Sequence, residues 1–157
     1  VGVNYYSESC VAWAAEAPER FRAVATGHPV THMGWDVVPR GLTRHLVWLH
    51  REYALPRLLV TENGCAYPDV LTEDGTRCHD PDRVAYLRSH LRACAEAIRA
   101  GVPLEGYYLW SLVDNFEWSF GYTRRFGIVY CDYGSERRVP KDSFSWYREL
   151  IAGHEAL

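Results

Sequence analysis

A chain of 157 residues, 48% hydrophobic and 24% charged, has the composition of a folded globular domain, which excludes disorder, and no apolar run approaches the roughly 20 residues of a transmembrane helix. It is long enough for one domain with a sizeable core but too short for a complete eight-stranded α/β barrel of about 250 residues. A formal net charge of −3 offers no positive field for nucleic acid, and neither a nucleic-acid nor a membrane partner is expected.

In chain order, Val1 to Tyr5 reads as a strand, rich in β-branched and aromatic residues. Ser7 to Pro29 is irregular, with a short helix expected around Ala14 to Val24. After Pro39-Arg40-Gly41, Leu42, Leu46, Leu49 and Tyr53 recur at helical spacing and share one face. Leu55-Pro56 ends that helix, because proline disfavours the helical conformation at the residue before it. Arg57 to Thr61 is a second strand, followed by a loop from Glu62 to His79. Asp80 is placed to cap the next helix, with Pro81 in its first turn, where a missing donor costs nothing. Val84, Leu87, Leu91, Ala95 and Ile98 are its expected buried stripe, and Gly101 with Pro103 stops it. Leu104 to Ser111 is the third strand. A hairpin is expected from about Arg125 to Tyr133, turning near Gly134. Asp142 or Ser143 should cap a last helix with Phe144, Tyr147 and Ile151 inward.

Three alternating strand and helix units read as parallel β/α architecture with right-handed crossovers. Chemistry should then gather at the C-terminal strand ends, and polar and aromatic residues do concentrate there: Asn4 to Ser7, Glu62 to Asn63, and Trp110 to Trp118. Leu58-Leu59-Val60 has the look of a strand buried on both faces, and Thr61-Glu62-Asn63-Gly64 follows it abruptly. Six Trp and eleven Tyr suit a large core and a sugar-facing cleft equally, so composition alone leaves both open. Cys10, Cys65, Cys78, Cys94 and Cys131 lack the spacing of a zinc site or a redox pair. Free thiols in a reducing cytoplasm are expected, with no metal and no cofactor. Arg124-Arg125 and Arg137-Arg138 read as solvated loops. The chain starts inside a strand pattern without Met, and an excerpt of a longer chain is expected.

Several motifs in order resemble family 1 of the glycoside hydrolases, the β-glucosidase family of retaining enzymes. Leu58 to Gly64 resembles the nucleophile motif with Glu62 in the nucleophile position. Gly2-Val3-Asn4-Tyr5-Tyr6-Ser7 is similar to the sixth-strand motif, whose tyrosine at Tyr6 hydrogen-bonds the nucleophile; Asn4 and Tyr6 are the candidate donors to Glu62. Trp110-Ser111-Leu112-Val113-Asp114-Asn115-Phe116-Glu117-Trp118 resembles the eighth-strand motif, in which Trp110 walls the sugar subsite while Glu117 and Trp118 bind hydroxyls. Arg125 to Val129, with Asp132-Tyr133, is similar to the closing hairpin, where Phe126 borders the exocyclic group of the sugar. His32-Met33-Gly34-Trp35 resembles a segment before the sixth helix and reads as packing or cleft rim, with His32 a hydrogen-bonded loop residue. Lys141-Asp142-Ser143 matches the final helix and looks structural.

The resemblance implies the C-terminal part of a (β/α)8 TIM barrel, about three β/α units corresponding to strands six to eight, forming one partial glycosidase domain over 1–157. It implies a retaining β-glucosidase-type hydrolase acting on terminal β-glucosyl residues through a covalent glycosyl-enzyme, in which two carboxyl groups stand about 5 to 5.5 Å apart. The family's acid/base glutamate lies in an Asn-Glu-Pro motif on the fourth strand, and this sequence has none. The chain is therefore expected to be inactive alone, with the N-terminal barrel strands as its partner in the same or a second chain. The alternative is a sugar-binding remnant without turnover.

Overall fold

Residues 1–157 are described by a computed structural model. Strand β1 (Gly2–Asn4) leads through an antiparallel hairpin, β2 (Val11–Trp13) with β3 (Phe21–Ala23), into helix α1 (Pro39–Tyr53). Strand β4 (Leu58–Asn63) leads into helix α2 (Pro81–Arg99). Strand β5 (Leu104–Leu109) continues through a short 3-10 turn (Trp118–Phe120) and a second antiparallel hairpin, β6 (Val129–Cys131) with β7 (Arg138–Pro140), into helix α3 (Asp142–Ile151). β1, β4 and β5 form one parallel sheet in that order, an arc of a barrel rather than a closed ring.

One face of the arc packs on α1 and α2. Val3, Tyr5, Leu58 and Val60 meet Leu42 and Leu46 of α1 and Ala93, Cys94 and Ala97 of α2 in a single core. Burying such apolar side chains, about 1.5 to 3 kcal/mol for each large one, is what holds the units together. The opposite face is open: within β4, Leu58 and Val60 are buried, Leu59 is half-buried and Thr61 is exposed. The expectation of a strand buried on both faces is thus met on one face only, because an arc of three strands encloses no interior.

The helical stripe of α1 is confirmed at Leu42 and Leu46, both fully buried, with Leu49 packed alongside and Tyr53 exposed. The helix expected between Ala14 and Val24 is the β2–β3 hairpin instead. Pro18 disfavours the helical conformation at Ala17, and the helix propensity of this Ala-rich stretch is too weak a preference to prevail. In α2 the buried face is Arg83, Tyr86, Leu87, His90, Ala93, Cys94 and Ala97, so of the expected stripe only Leu87 is buried and Ile98 is exposed. Apolarity misplaced that face because three of its members are polar: Arg83 and Tyr86 are buried with the partners described below, and His90 meets the Tyr86 carbonyl through Nδ1 at 2.9 Å while its Nε2 has no partner.

Both expected caps are corrected. Asp80 makes no side-chain cap on α2; its Oδ1 accepts the backbone N–H of Ser143 at 2.8 Å and its Oδ2 accepts Ser143 Oγ at 2.5 Å, so it caps α3 from 63 residues away. The turn of the second hairpin does fall at Gly134, whose N–H donates to Asp132 Oδ1 at 3.0 Å, but the return strand is β7. Phe144 and Tyr147 of α3 are half-buried, whereas Ile151 is exposed. All five cysteines are unpaired, and only Cys10 is exposed. No helix is long and apolar enough to cross a membrane.

Candidate active site

The C-terminal ends of β1, β4 and β5 converge on a cavity of about 790 Å³ that brings together Tyr6, Glu62, Trp110, Glu117, Trp118 and Phe126, with Trp35, Asn115 and Phe116 completing its wall. Tyr6 Oη donates to Glu62 Oε2 at 2.7 Å. Burial, and then the bond and charge of Glu62, push the Tyr6 phenol far above its ordinary value, so it stays a donor throughout the accessible pH range. Asn4 stands outside the cavity. Its Oδ1 accepts Thr61 Oγ1 at 2.7 Å, because the register shift after Val3 places Asn4 beside Glu62 along the ladder while its side chain turns to the open face. Of the two candidate donors, Tyr6 alone bonds Glu62.

Gly64 permits the close meeting of β4 and β5. A Cβ built there would lie 1.7 Å from the Trp110 carbonyl oxygen, so any side chain would push the Trp110 loop off the end of β4. Trp110 N–H donates to the Asn63 carbonyl at 2.8 Å, and the Trp110–Ser111 peptide is cis. Beyond it, Asp114 organises the loop that carries Glu117. Its oxygens accept Gly127 N–H at 2.9 Å, Arg125 Nη1 at 2.7 Å, Cys131 N–H at 3.3 Å and Lys141 Nζ at 2.9 Å. Arg125 is therefore no solvated loop residue, and Arg124 is half-buried as well, lying over the Phe120 ring with its Nε buried and without a partner.

Lys141 also donates to Asp69 Oδ2 at 2.5 Å, and Arg83 forks onto both Asp69 oxygens, at 3.0 and 2.8 Å, and onto Asp80. The side chains of Arg83, Lys141, Asp69, Asp80 and Asp114 are all almost fully buried. Charges so placed are tolerated only as a mutually paired, hydrogen-bonded set. Arg83 Nη2 also donates to the Arg125 carbonyl at 2.8 Å, so this network seats the backbone just before Phe126.

Phe126 is buried and meets the Tyr6 ring edge-on at 6.1 Å and Trp35 at 6.2 Å. Trp35, read from the sequence as packing or rim, is part of the wall. Asn115 and Phe116 lie inside the eighth-strand motif and were not singled out from it, since neither stands at a position with an assigned role. His32 departs from expectation: its Nδ1 is buried without a partner, and burial, then Arg124, lowers its pKa. Glu117 titrates above the ordinary carboxylate value through burial and then the charge of Glu62. The cavity thus offers one carboxylate held by a phenol, a second with a weakened hold on its charge, and aromatic faces and an indole suited to sugar C–H and hydroxyl groups.

A parallel β/α arc with carboxylates and indoles at its C-terminal strand ends is an arrangement that barrel glycosidases use. Residues 1–156 match the profile of Glycosyl hydrolase family 1. The chain is 47% identical over 151 residues to beta-glucosidase A of Thermotoga maritima, covering 96% of this chain and 34% of that protein. It is 45% identical, over an alignment of 172 positions with gaps, to a bifunctional beta-D-glucosidase/beta-D-fucosidase of Bifidobacterium breve, covering 99% of this chain and 37% of that protein. The solved family 1 β-glucosidase from Thermotoga maritima superposes with a TM-score of 0.95 at 45% identity, covering 99% of this chain and 35% of that one. Its complex with deoxynojirimycin matches at a TM-score of 0.94 and 44% identity, with the same coverage. The chain belongs to glycosyl hydrolase family 1 and forms part of its (β/α)8 barrel. It spans about a third of the length of the relatives it matches.

Proposed function

We propose that this chain, as one partial barrel domain, supplies the nucleophile and much of the sugar subsite of a retaining β-glycosidase of β-glucosidase type. The observation that carries the proposal is the 2.7 Å bond from Tyr6 Oη to Glu62 Oε2 inside a cavity walled by Trp110, Trp118 and Phe126. Glu62 attacks the anomeric carbon of a terminal β-glucosyl residue, forming a glycosyl ester as the bond to the leaving oxygen breaks. Water, giving a proton to the group that first protonated the leaving oxygen, then displaces Glu62 at the same carbon, and two inversions give net retention. Tyr6 keeps the attacking carboxylate oriented, Trp110 stacks on the ring, Glu117 accepts sugar hydroxyl hydrogens and Trp118 donates its indole N–H.

The leaving oxygen needs a proton donor. Glu62 and Glu117 are the only carboxyl groups lining the cavity, so the acid comes from barrel strands carried elsewhere in the same or a second chain. Without it, glycosides with poor leaving groups lose a contribution of about 10² to 10⁴ in rate, and the isolated chain is expected to be inactive on them.

Trapping in the complete barrel tests the assignment. A dinitrophenyl fluoroglucoside, whose leaving group needs no proton, should leave its fluorosugar on the peptide containing Glu62, read by mass spectrometry. A label on another side chain would overturn it. The shortage of a second catalytic carboxyl in this cavity is what favours a binding remnant, whose mark would be glucose binding by the complete assembly with no label and no turnover.

A further inference from the structure

Below the cavity, a cluster with no chemical step of its own touches both halves of the Tyr6–Glu62 pair. Asn63, fully buried, immediately follows Glu62. Its Nδ2 donates to the Tyr5 carbonyl at 2.6 Å and to Tyr86 Oη at 3.1 Å, and its Oδ1 accepts Tyr107 Oη at 2.6 Å. Tyr86 Oη in turn donates to the Tyr6 carbonyl at 3.0 Å. One phenolic oxygen of α2 therefore bridges the residue that donates to Glu62 and the residue peptide-bonded to Glu62.

The ladder between β1 and β4 cannot do this work. It breaks register between Val3 and Asn4, and its last bond is Tyr5 N–H to the Glu62 carbonyl at 2.9 Å, so Tyr6 lies beyond it. Tyr86 is well placed to serve as the fixed point, being 2% exposed and stacked on the buried His90 with ring centroids 3.9 Å apart and planes at 23°. Removing its hydroxyl would strip the Tyr6 carbonyl of this donor and Asn63 Nδ2 of one of its two acceptors.

Taking Glu62 as the nucleophile proposed above, we infer that Tyr86 is a positioning residue that acts through Tyr6 and Asn63 to hold the attacking carboxylate in line. In-line attack needs reacting atoms about 3 to 3.5 Å apart, and a displacement of about 1 Å can cost 10²-fold in rate. The effect belongs in the rate of glycosylation, since Tyr86 does not line the cavity.

The test is made in the complete barrel that carries this chain, on an aryl β-glucoside and with the fluorosugar label. Tyr86→Phe should lower kcat and the rate of Glu62 labelling by roughly 10- to 100-fold, with KM changed by less than about threefold. In a Tyr6→Phe background the same change should cost less than in the parent, because the phenol that donates to Glu62 is gone and only the route through Asn63 remains. Ala97→Gly, in the same helix but remote from the pair, should lower Tm and leave kcat unchanged. Parental kcat in Tyr86→Phe, an equal loss in both backgrounds, or a matching kcat loss in Ala97→Gly would each overturn the inference. Should Tyr86→Phe fail to fold, Tyr107→Phe, which frees Asn63 Oδ1, should lower kcat by about three- to tenfold at unchanged KM, and an unchanged kcat would overturn it. A parent labelled away from Glu62 sinks the nucleophile assignment itself, whereas correct labelling at parental rate in Tyr86→Phe sinks only the role of Tyr86.

Discussion

In the cavity wall Trp118 is 81% exposed and Phe116 58% exposed, while in the layer that holds the strand ends and loops Asn63, Arg83, Tyr86 and Lys141 are at most 2% exposed and each has polar partners. The wall leaves aromatic faces and carboxylate oxygens free for a ligand. The layer below has spent its hydrogen-bonding capacity on protein. What lines the site is therefore different from what gives it shape: Asp114, Lys141 and Arg83 hold the loops, and the Tyr86–Asn63 cluster holds the strand ends.

Substitutions on the two sides should separate chemistry from stability. On the wall, Glu62→Gln should lower hydrolysis by the complete barrel by about 10⁴-fold or more, with the denaturant midpoint nearly unchanged; activity assay and unfolding on the same sample check this. Below it, Lys141→Ala leaves Asp69 and Asp114 without their shared ammonium and should cost about 3 to 5 kcal/mol of stability in denaturant titration. Sugar binding in that variant should fall at least in proportion to unfolding, since Lys141 also holds the Asp114 loop and the Gly127 carbonyl.

His90 sharpens the contrast through pH. Burial holds its pKa down at about 4, partly offset by the Tyr86 carbonyl, against about 6.5 unfolded. The unfolded chain then binds more protons in between, so the contribution of His90 to stability is complete above about pH 6.5 and is lost as pH falls toward 4, on the order of 3 kcal/mol in all. Thermal melts from pH 7 to 4 should flatten by about that amount in His90→Phe. The smallest effect belongs to the surface: Glu8 and Arg44 pair with side chains 41% and 63% exposed, so Arg44→Ala should shift stability by no more than about 1 kcal/mol.

The order of the three parallel strands and the helices after them, the fully buried Leu42 and Leu46 of α1, and the six residues gathered in the cavity were legible along the chain, because each rests on local periodicity or on a contiguous motif. Three misreadings share one cause. The β2–β3 hairpin prevailed over Ala-rich helix propensity, the buried face of α2 includes Arg83, Tyr86 and His90, and Asp80 caps a distant helix. In each, a contact or constraint outside the local apolar pattern decided the outcome. Asn4 shows the same limit at single-residue scale, since the register shift that turned it toward Thr61 follows from pairing with β4.

By itself the sequence determined which chemical groups stand at the ends of the three parallel strands, because strand period and motif spacing are local properties of the chain. Only the tertiary structure decided which of those groups face one another and what lies under them. The partners of Lys141 and Tyr86 are 72 and 80 residues away, and pairing over such separations is set by how β/α units pack, which short-range patterns do not encode.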